Sequence, residues 1–88
     1  MENLQKCLER KIRDVYFKYG GWNTSSVIVS EDKVEIYIDT EKPYFGGKFF
    51  DMIDDLAKEI EEPLKNAGFK TKVKREFLFG FLHWEFTK

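Results

Sequence analysis

The sequence has very few of the residues that build disulfides and metal sites. Its 88 residues include one cysteine, Cys7, and one histidine, His83. An intramolecular disulfide and a zinc site made of cysteines and histidines are therefore excluded. No apolar run approaches the roughly 20 residues that cross a bilayer, and no signal-peptide pattern opens the chain. We expect a cytoplasmic protein that uses no cofactor or metal ion and does not contact a membrane.

Length and composition also leave no room for a second core. A hydrophobic fraction of 42% over 88 residues is typical of one small domain and too high for intrinsic disorder. Two prolines and six glycines are the only strong breaks in the pattern. The sequence therefore predicts a single α+β domain that covers residues 1–88.

An excess of charge of one sign is lacking too, because 15 lysines and arginines face 16 aspartates and glutamates. The balance hides a pattern in which residues 1–19 and 67–88 are basic and residues 20–66 are acidic. Non-specific affinity for nucleic acid grows with the number of phosphates that a protein neutralises. The chain is therefore not a general polyanion binder, although a local basic face is compatible with the pattern.

Two segments repeat apolar residues every three and four positions, which predicts amphipathic helices. The first covers residues 2–19. The second covers about residues 48–67 and ends at Gly68, with Phe69 placed to pack back on the helix as in a Schellman cap. Pro63 lies inside the second helix and should kink it or split off its last turn.

The remaining segments alternate apolar and polar residues, which predicts strands. Residues 26–30 and 33–39 are rich in valine, isoleucine and tyrosine and form a first hairpin. We predict a second hairpin over residues 69–88, with its turn at residues 77–80. The alternative is one continuous central strand over residues 77–86.

The elements follow the order α-β-β-α-β-β. This order predicts a four-stranded, mostly antiparallel sheet with both helices on one face. The same order results when the first strand of a ferredoxin-like βαββαβ fold is moved to its end. In that arrangement the last strand is central, in agreement with its apolar residues on both faces.

No set of residues in the sequence predicts a catalytic or metal site. Cys7 lies on the apolar stripe of the first helix, where a free cysteine is usually an inert hydrophobe, so a nucleophilic pair with His83 is not expected. Asp51, Asp54 and Asp55 share the start of the second helix, where acidic residues commonly favour the positive end of the helix dipole. We therefore predict that the protein is not an enzyme.

Aromatic residues are the clearest excess, with nine phenylalanines, four tyrosines and two tryptophans. Six fit buried stripes, Trp22 and Phe50 are undecided, and seven, among them Phe17, fall in loops, turns or outward positions. Clustered exposed aromatics commonly mark protein interfaces. The sequence thus predicts a protein-interaction module, such as a small inhibitor or regulator, that binds another protein or forms a homodimer. The predicted contact residues are Phe77, Phe79, Phe81, His83, Tyr44 and Phe45.

Single-stranded nucleic-acid binding is the alternative, because lysines and aromatics can share one sheet face. The residues predicted for it are Lys70, Lys72, Lys74, Tyr37 and Phe81. The segment at residues 79–84 is similar to the later positions of the octapeptide of RNA-recognition motifs. Phe77 and Leu78 stand where that motif has a basic residue and a glycine, so the family is not assigned. Acidic residues on the same predicted face also disfavour nucleic acid.

Overall fold

A computed structural model describes residues 3–20, 25–39, 48–71, 74–78 and 80–88. The described residues form two helices and four strands: α1 (Leu4–Lys18), β1 (Ser26–Val29), β2 (Lys33–Asp39), α2 (Phe49–Asn66), β3 (Lys74–Leu78) and β4 (Phe81–Thr87). The predicted α+β class and the order α-β-β-α-β-β are confirmed. Neither helix is long and apolar enough to cross a membrane, as far as the described residues go.

The four strands form one sheet in the order β1-β2-β4-β3. All three neighbouring pairs are antiparallel. The last strand therefore lies inside the sheet, as it does in the ferredoxin-like arrangement considered from the sequence. This strand order is also the one that a ferredoxin-like sheet acquires when its first strand is moved to its end. It leaves β1 and β3 at the two edges of the sheet.

The core lies between the two helices and one face of the sheet. Alternate residues of the two inner strands are buried, namely Val34, Ile36 and Ile38 of β2 and Leu82, Trp84 and Phe86 of β4. The helices add Leu8, Ile12, Val15 and Tyr16 from α1 and Met52, Ile53, Leu56, Ile60 and Leu64 from α2. We call the other side of the sheet the polar face; its inner-strand residues are Lys33, Glu35, Tyr37, Asp39, Phe81, His83, Glu85 and Thr87.

The two helices pack antiparallel. Lys18 Nζ at the end of α1 lies 3.1 Å from Asp55 Oδ2 near the start of α2, and Lys11 Nζ lies 3.8 Å from Glu59 Oε2 one turn further on. The hydroxyl of Tyr19 also donates to Asp55. This hydrogen bond, together with burial and nearby carboxylates, raises the pKa of Tyr19 to about 12. The last turn of α1 is thereby held against the first turns of α2.

The end of α2 is the Schellman cap that the sequence predicted. The Phe69 N–H donates to the Leu64 carbonyl at 2.9 Å, and the Gly68 N–H donates to the Lys65 carbonyl at 3.0 Å. Gly68 has φ +90°, which only glycine adopts readily. Phe69 is buried in the core, so the cap fixes both the helix end and the chain that follows it.

Pro63 does not split off the last turn of the helix, one of the two outcomes predicted for it, because α2 continues through this residue to Asn66. A proline removes one backbone hydrogen bond from a helix, but it does not have to end the helix when later residues are anchored. Leu64 is fully buried directly after it, and the cap bonds at Gly68 and Phe69 close the last turn. These contacts hold the final turn in helical geometry.

The predicted start of the third strand is also wrong. β3 begins at Lys74, opposite Glu85, so Lys70 precedes the strand. The cap at the end of α2 fixes Phe69, and the Lys70 N–H donates to the Thr87 carbonyl at 2.7 Å before the regular ladder starts. Phe77 therefore belongs to β3 and not to the turn. The alternative of one strand over residues 77–86 is wrong as well, since the chain turns at Gly80, where φ is +84°.

Candidate interaction surface

Three of the four strands define one end of the domain, which we call the Phe81 end. β4 begins at Phe81, which lies opposite Asp39 at the end of β2 and Leu78 at the end of β3. The opposite end of the sheet is marked by the Lys88 N–H, which donates to the Asp32 carbonyl. These two reference points show which end of the sheet each helix terminus lies near.

Both helices bring a phenylalanine towards the Phe81 end. α2 leads into Lys70, which bonds to Thr87 at the opposite end. Its 18 residues span about 27 Å at 1.5 Å per residue, so its first turn, with Phe50, is directed towards the Phe81 end. The antiparallel contact at Asp55 places the last turn of α1, with Phe17, beside it.

The phenylalanines at this end are four of the five exposed large apolar side chains among the described residues; the fifth is Ile28 of β1. Phe17 is 84% exposed, Phe50 69%, Phe77 65% and Phe81 41%. We call these four residues the aromatic end. Phe17, Phe77 and Phe81 were expected at the surface, whereas the sequence left Phe50 undecided. The signal for Phe50 is its position beside the apolar stripe of α2, because Phe49, Ile53, Leu56 and Ile60 recur at the three- and four-residue spacing of one helix face and Phe50 falls outside this series.

Phe77 and Phe81 lie on opposite faces of the last hairpin. Phe77 pairs with Leu82, whose side chain is in the core, so Phe77 is on the helix side of the sheet. Phe81 pairs with Asp39 on the polar face. Phe77 is exposed because α2 does not cover the edge strand and leaves a groove beside it. The groove is lined by Ala57, Lys58, Glu61, Thr71, Arg75 and Phe86.

His83 is not the exposed contact residue that the sequence predicted, because it is only 8% exposed. Its ring stacks on Tyr37, with centroids 4.6 Å apart and planes 21° apart. Its Nε2 lies 3.1 Å from Glu35 Oε2, which also accepts a hydrogen bond from the Tyr37 hydroxyl at 3.1 Å. Because a carboxylate can only accept, His83 donates through Nε2–H. Glu76 of the edge strand lies opposite on its other side.

The carboxylate of Glu35 holds this cluster together. Burial acts to raise its pKa, but the hydrogen bonds from Tyr37 and His83 and the nearby Lys33 outweigh burial and hold the pKa below the usual value. The hydrogen bond from the Tyr37 hydroxyl to Glu35, and to a smaller extent burial, raises the pKa of Tyr37. His83 Nδ1 is buried without a hydrogen-bond partner. The hydrogen bonds to Glu35 therefore tie the two inner strands together on the polar face.

We expect Glu35→Gln to lower the free energy of unfolding by about 0.5–1 kcal/mol at pH 7. A carboxyl whose pKa is lowered by folding contributes stability above its unfolded pKa, and this stability is lost as the pH falls through the folded value. The variant should therefore lose less stability than the wild type between about pH 5 and 3. Urea denaturation across this pH range checks it. Glu85→Gln is the matched control, because Glu85 lies opposite Glu35 and shares only the Lys33 contact; equal pH profiles for the two variants would contradict the prediction.

Of the three lysines predicted for nucleic-acid binding, the structure describes Lys70 and Lys74, and only Lys74 belongs to a strand. Lys74 Nζ lies 3.2 Å from Glu76 Oε1, Lys70 precedes the strand, and Lys72 lies outside the described residues. Of the aromatics in that set, Tyr37 is held by His83 and Phe81 is partly exposed. On the polar face of the described strands, the acidic residues Glu35, Asp39, Glu76 and Glu85 outnumber the basic residues Lys33 and Lys74.

The residues that could carry chemistry are kept apart. Cys7 lies on α1, on the helix side of the sheet, whereas His83 lies on the polar face, so the sheet separates them. Asp55 is bonded to Lys18 and Tyr19. Within the described ranges, no three histidine, cysteine or acidic side chains are grouped so that they could hold a metal ion.

Three predicted contact residues, Phe79, Tyr44 and Phe45, lie outside the described residues, so their roles stay predictions. Phe77 and Phe81 are the predicted contact residues that the structure places at the surface. The chain matches no model of a known protein family and no curated protein sequence.

Proposed function

We propose that this protein is a non-enzymatic interaction module that docks on a protein partner through its last hairpin, with Phe77 and Phe81 as anchors. The observation that carries the proposal is the 65% exposure of Phe77 on the outermost strand. A domain of this size has little apolar surface to spare for its core. Burying a phenylalanine side chain stabilises a protein by about 1.5–3 kcal/mol. A phenylalanine that stays exposed on an edge strand does not contribute this free energy to folding, and binding to a partner that buries the ring explains its presence better.

The shape of the hairpin supports the same function. Phe77 and Phe81 project from its two faces, so a partner that encloses the end of the hairpin would bury both rings. Phe50 on the first turn of α2 offers a third ring towards the same end. Aromatic side chains are typical anchors of protein interfaces because they bury a large area with few rotatable bonds.

The test begins with a photo-reactive phenylalanine analogue at position 77 of the full chain, cross-linked in extract of the source cells. The captured protein is then purified, and its affinity is measured against the wild type and Phe77→Ser/Phe81→Ser. We expect the double variant to bind at least tenfold more weakly and to keep its circular dichroism spectrum, because both side chains are exposed. Ile28→Ser is the matched control, since Ile28 is 50% exposed on the other edge strand.

Three outcomes would overturn the proposal. The first is unchanged affinity of the double variant. The second is unfolding of both the double variant and the single variant Phe77→Ser, which would make Phe77 a core residue. The third is cross-linking to single-stranded nucleic acid with an affinity that falls steeply with added salt, which would favour the alternative function.

A further inference from the structure

We infer that β3 is a self-complementary edge strand that pairs antiparallel with β3 of a second copy of this chain, with the two-fold axis at Arg75. The inference rests on the proposed function, because it names a second copy as the partner of the last hairpin. It is carried by three features of β3: the outward direction of its backbone groups, the order of its charges and the position of the Arg75 guanidinium.

The outer edge of β3 has backbone groups available for pairing. The Lys88 N–H donates to Asp32 on the β2 side, whereas the Thr87 carbonyl accepts from Lys70 on the β3 side. Hydrogen-bonded pairs alternate along an antiparallel ladder, so odd-numbered residues of β4 direct their backbone groups to β3. Their partners in β3 are the even-numbered residues. Arg75 and Phe77 therefore direct their N–H and carbonyl groups outward, and no strand in the described part of the chain pairs with them.

The charges of β3 are arranged to attract a second copy. Lys74 and Glu76 lie on the same face, with Nζ and Oε1 3.2 Å apart and with side chains that are 64% and 40% exposed. In an antiparallel pair centred on Arg75, Lys74 of each copy lies opposite Glu76 of the other. The four side chains then form a ring of alternating charge. Charges on an edge strand usually protect it from pairing, but the two charges on this face of β3 have opposite signs and therefore complement those of a second copy.

The guanidinium of Arg75 does not oppose this register. Its Cζ lies 5.0 Å from the centre of the Trp84 ring, so the charged group is folded inward over β4 and away from the outer edge. An axis at Glu76 would instead place two exposed carboxylates directly opposite each other. With an axis at Phe77, Lys74 of one copy would no longer lie opposite Glu76 of the other. Charge complementarity therefore selects Arg75 as the centre.

The edge also has room for a second copy. Arg75 and Phe77 are exposed on the helix side of β3, because α2 stops short of the edge strand and leaves the groove described above. At the other edge, Ser26–Val29 of β1 carries no charged residue that would fix a register.

The test uses the full-length chain and the variants Lys74→Glu, Glu76→Lys and Lys74→Glu/Glu76→Lys. Their masses are measured by sedimentation equilibrium from about 10 µM to 1 mM. We expect a wild-type dimer, about tenfold weaker dimerisation in each single variant, and recovery to within about twofold in the double variant. The Arg75 amide should exchange its hydrogen more slowly as the wild-type concentration rises.

A monomeric wild type at 1 mM would overturn the inference, and so would a double variant as weak as the single variants. Tighter dimerisation of Glu76→Gln would place the axis at Glu76, and open-ended polymers would indicate pairing of β3 with β1; both results contradict the inference. A further outcome is that the charge variants leave the mass unchanged while Phe77→Ser/Phe81→Ser still lowers the affinity for a captured partner protein. In that case the self-pairing inference fails and the proposed function stands.

Discussion

Replacing Trp84 by alanine should lower the free energy of unfolding by about 3–5 kcal/mol. Trp84 is fully buried in the inner strand β4, between Ile36 of β2 and Arg75 of β3. Because strands flank it on both sides, the surrounding backbone cannot collapse into the space that the side chain leaves. A domain of this length has a total stability of about 4–13 kcal/mol, so the variant should lose a large fraction of its stability.

Urea denaturation followed by far-ultraviolet circular dichroism measures this effect without relying on tryptophan fluorescence. Trp84→Phe should cost less than half as much, since it keeps an aromatic ring and the indole Nε1 has no hydrogen-bond partner to lose. Phe17→Ala, at an exposed position, should change stability by about 0.5 kcal/mol or less. A loss below about 1 kcal/mol for Trp84→Ala would show that the side chain is not the centre of the core.

The helices and inner strands were predictable because each has a strong apolar period of its own. In β2, Val34, Ile36 and Ile38 alternate with polar residues, and the sequence correctly placed them on the buried face. The signal for the end of α2 is also local in sequence, since Gly68 and the following aromatic residue are sufficient to indicate the cap. The position of β4 inside the sheet followed from the element order together with its apolar residues.

The start of β3 could not be predicted from its own pattern. The lysines at positions 70, 72 and 74 alternate with apolar residues and therefore resemble a strand that begins at Phe69. In the structure, Phe69 instead closes the cap of α2, and β3 begins at Lys74. A contact with the preceding helix thus outweighs the strand pattern.

The burial of His83 could not be predicted from the sequence for a related reason. An outward position on a strand predicts exposure only if the neighbouring strands carry short side chains there. Tyr37 stacks on His83 from one side, and Glu76 lies opposite on the other. Such cross-strand neighbours depend on the register, which one sequence segment does not specify. The gathering of Phe17, Phe50, Phe77 and Phe81 at one end likewise depends on the directions of all the elements.

Pro63 shows how tertiary contacts can override a local signal. Without a backbone N–H, it cannot donate to the carbonyl of Glu59, and its ring crowds that carbonyl. The helix nevertheless continues to Asn66, because Leu64 is anchored in the core directly after the proline. The folded protein therefore still lacks this hydrogen bond and is destabilised by the crowded carbonyl, and a substitution of Pro63 should relieve both effects.

Pro63→Ala should raise the free energy of unfolding by about 1–2 kcal/mol. A proline inside a helix is about 3 kcal/mol less favourable than alanine, and the greater freedom of the unfolded chain with alanine returns about 0.4–1 kcal/mol. The position near the end of α2 reduces the gain further. Urea denaturation checks it, with Glu62→Ala, an exposed neighbour on the same turn, as the control that should change stability by about 0.5 kcal/mol or less. A loss of stability in Pro63→Ala would mean that the packing of the half-buried ring outweighs the missing hydrogen bond.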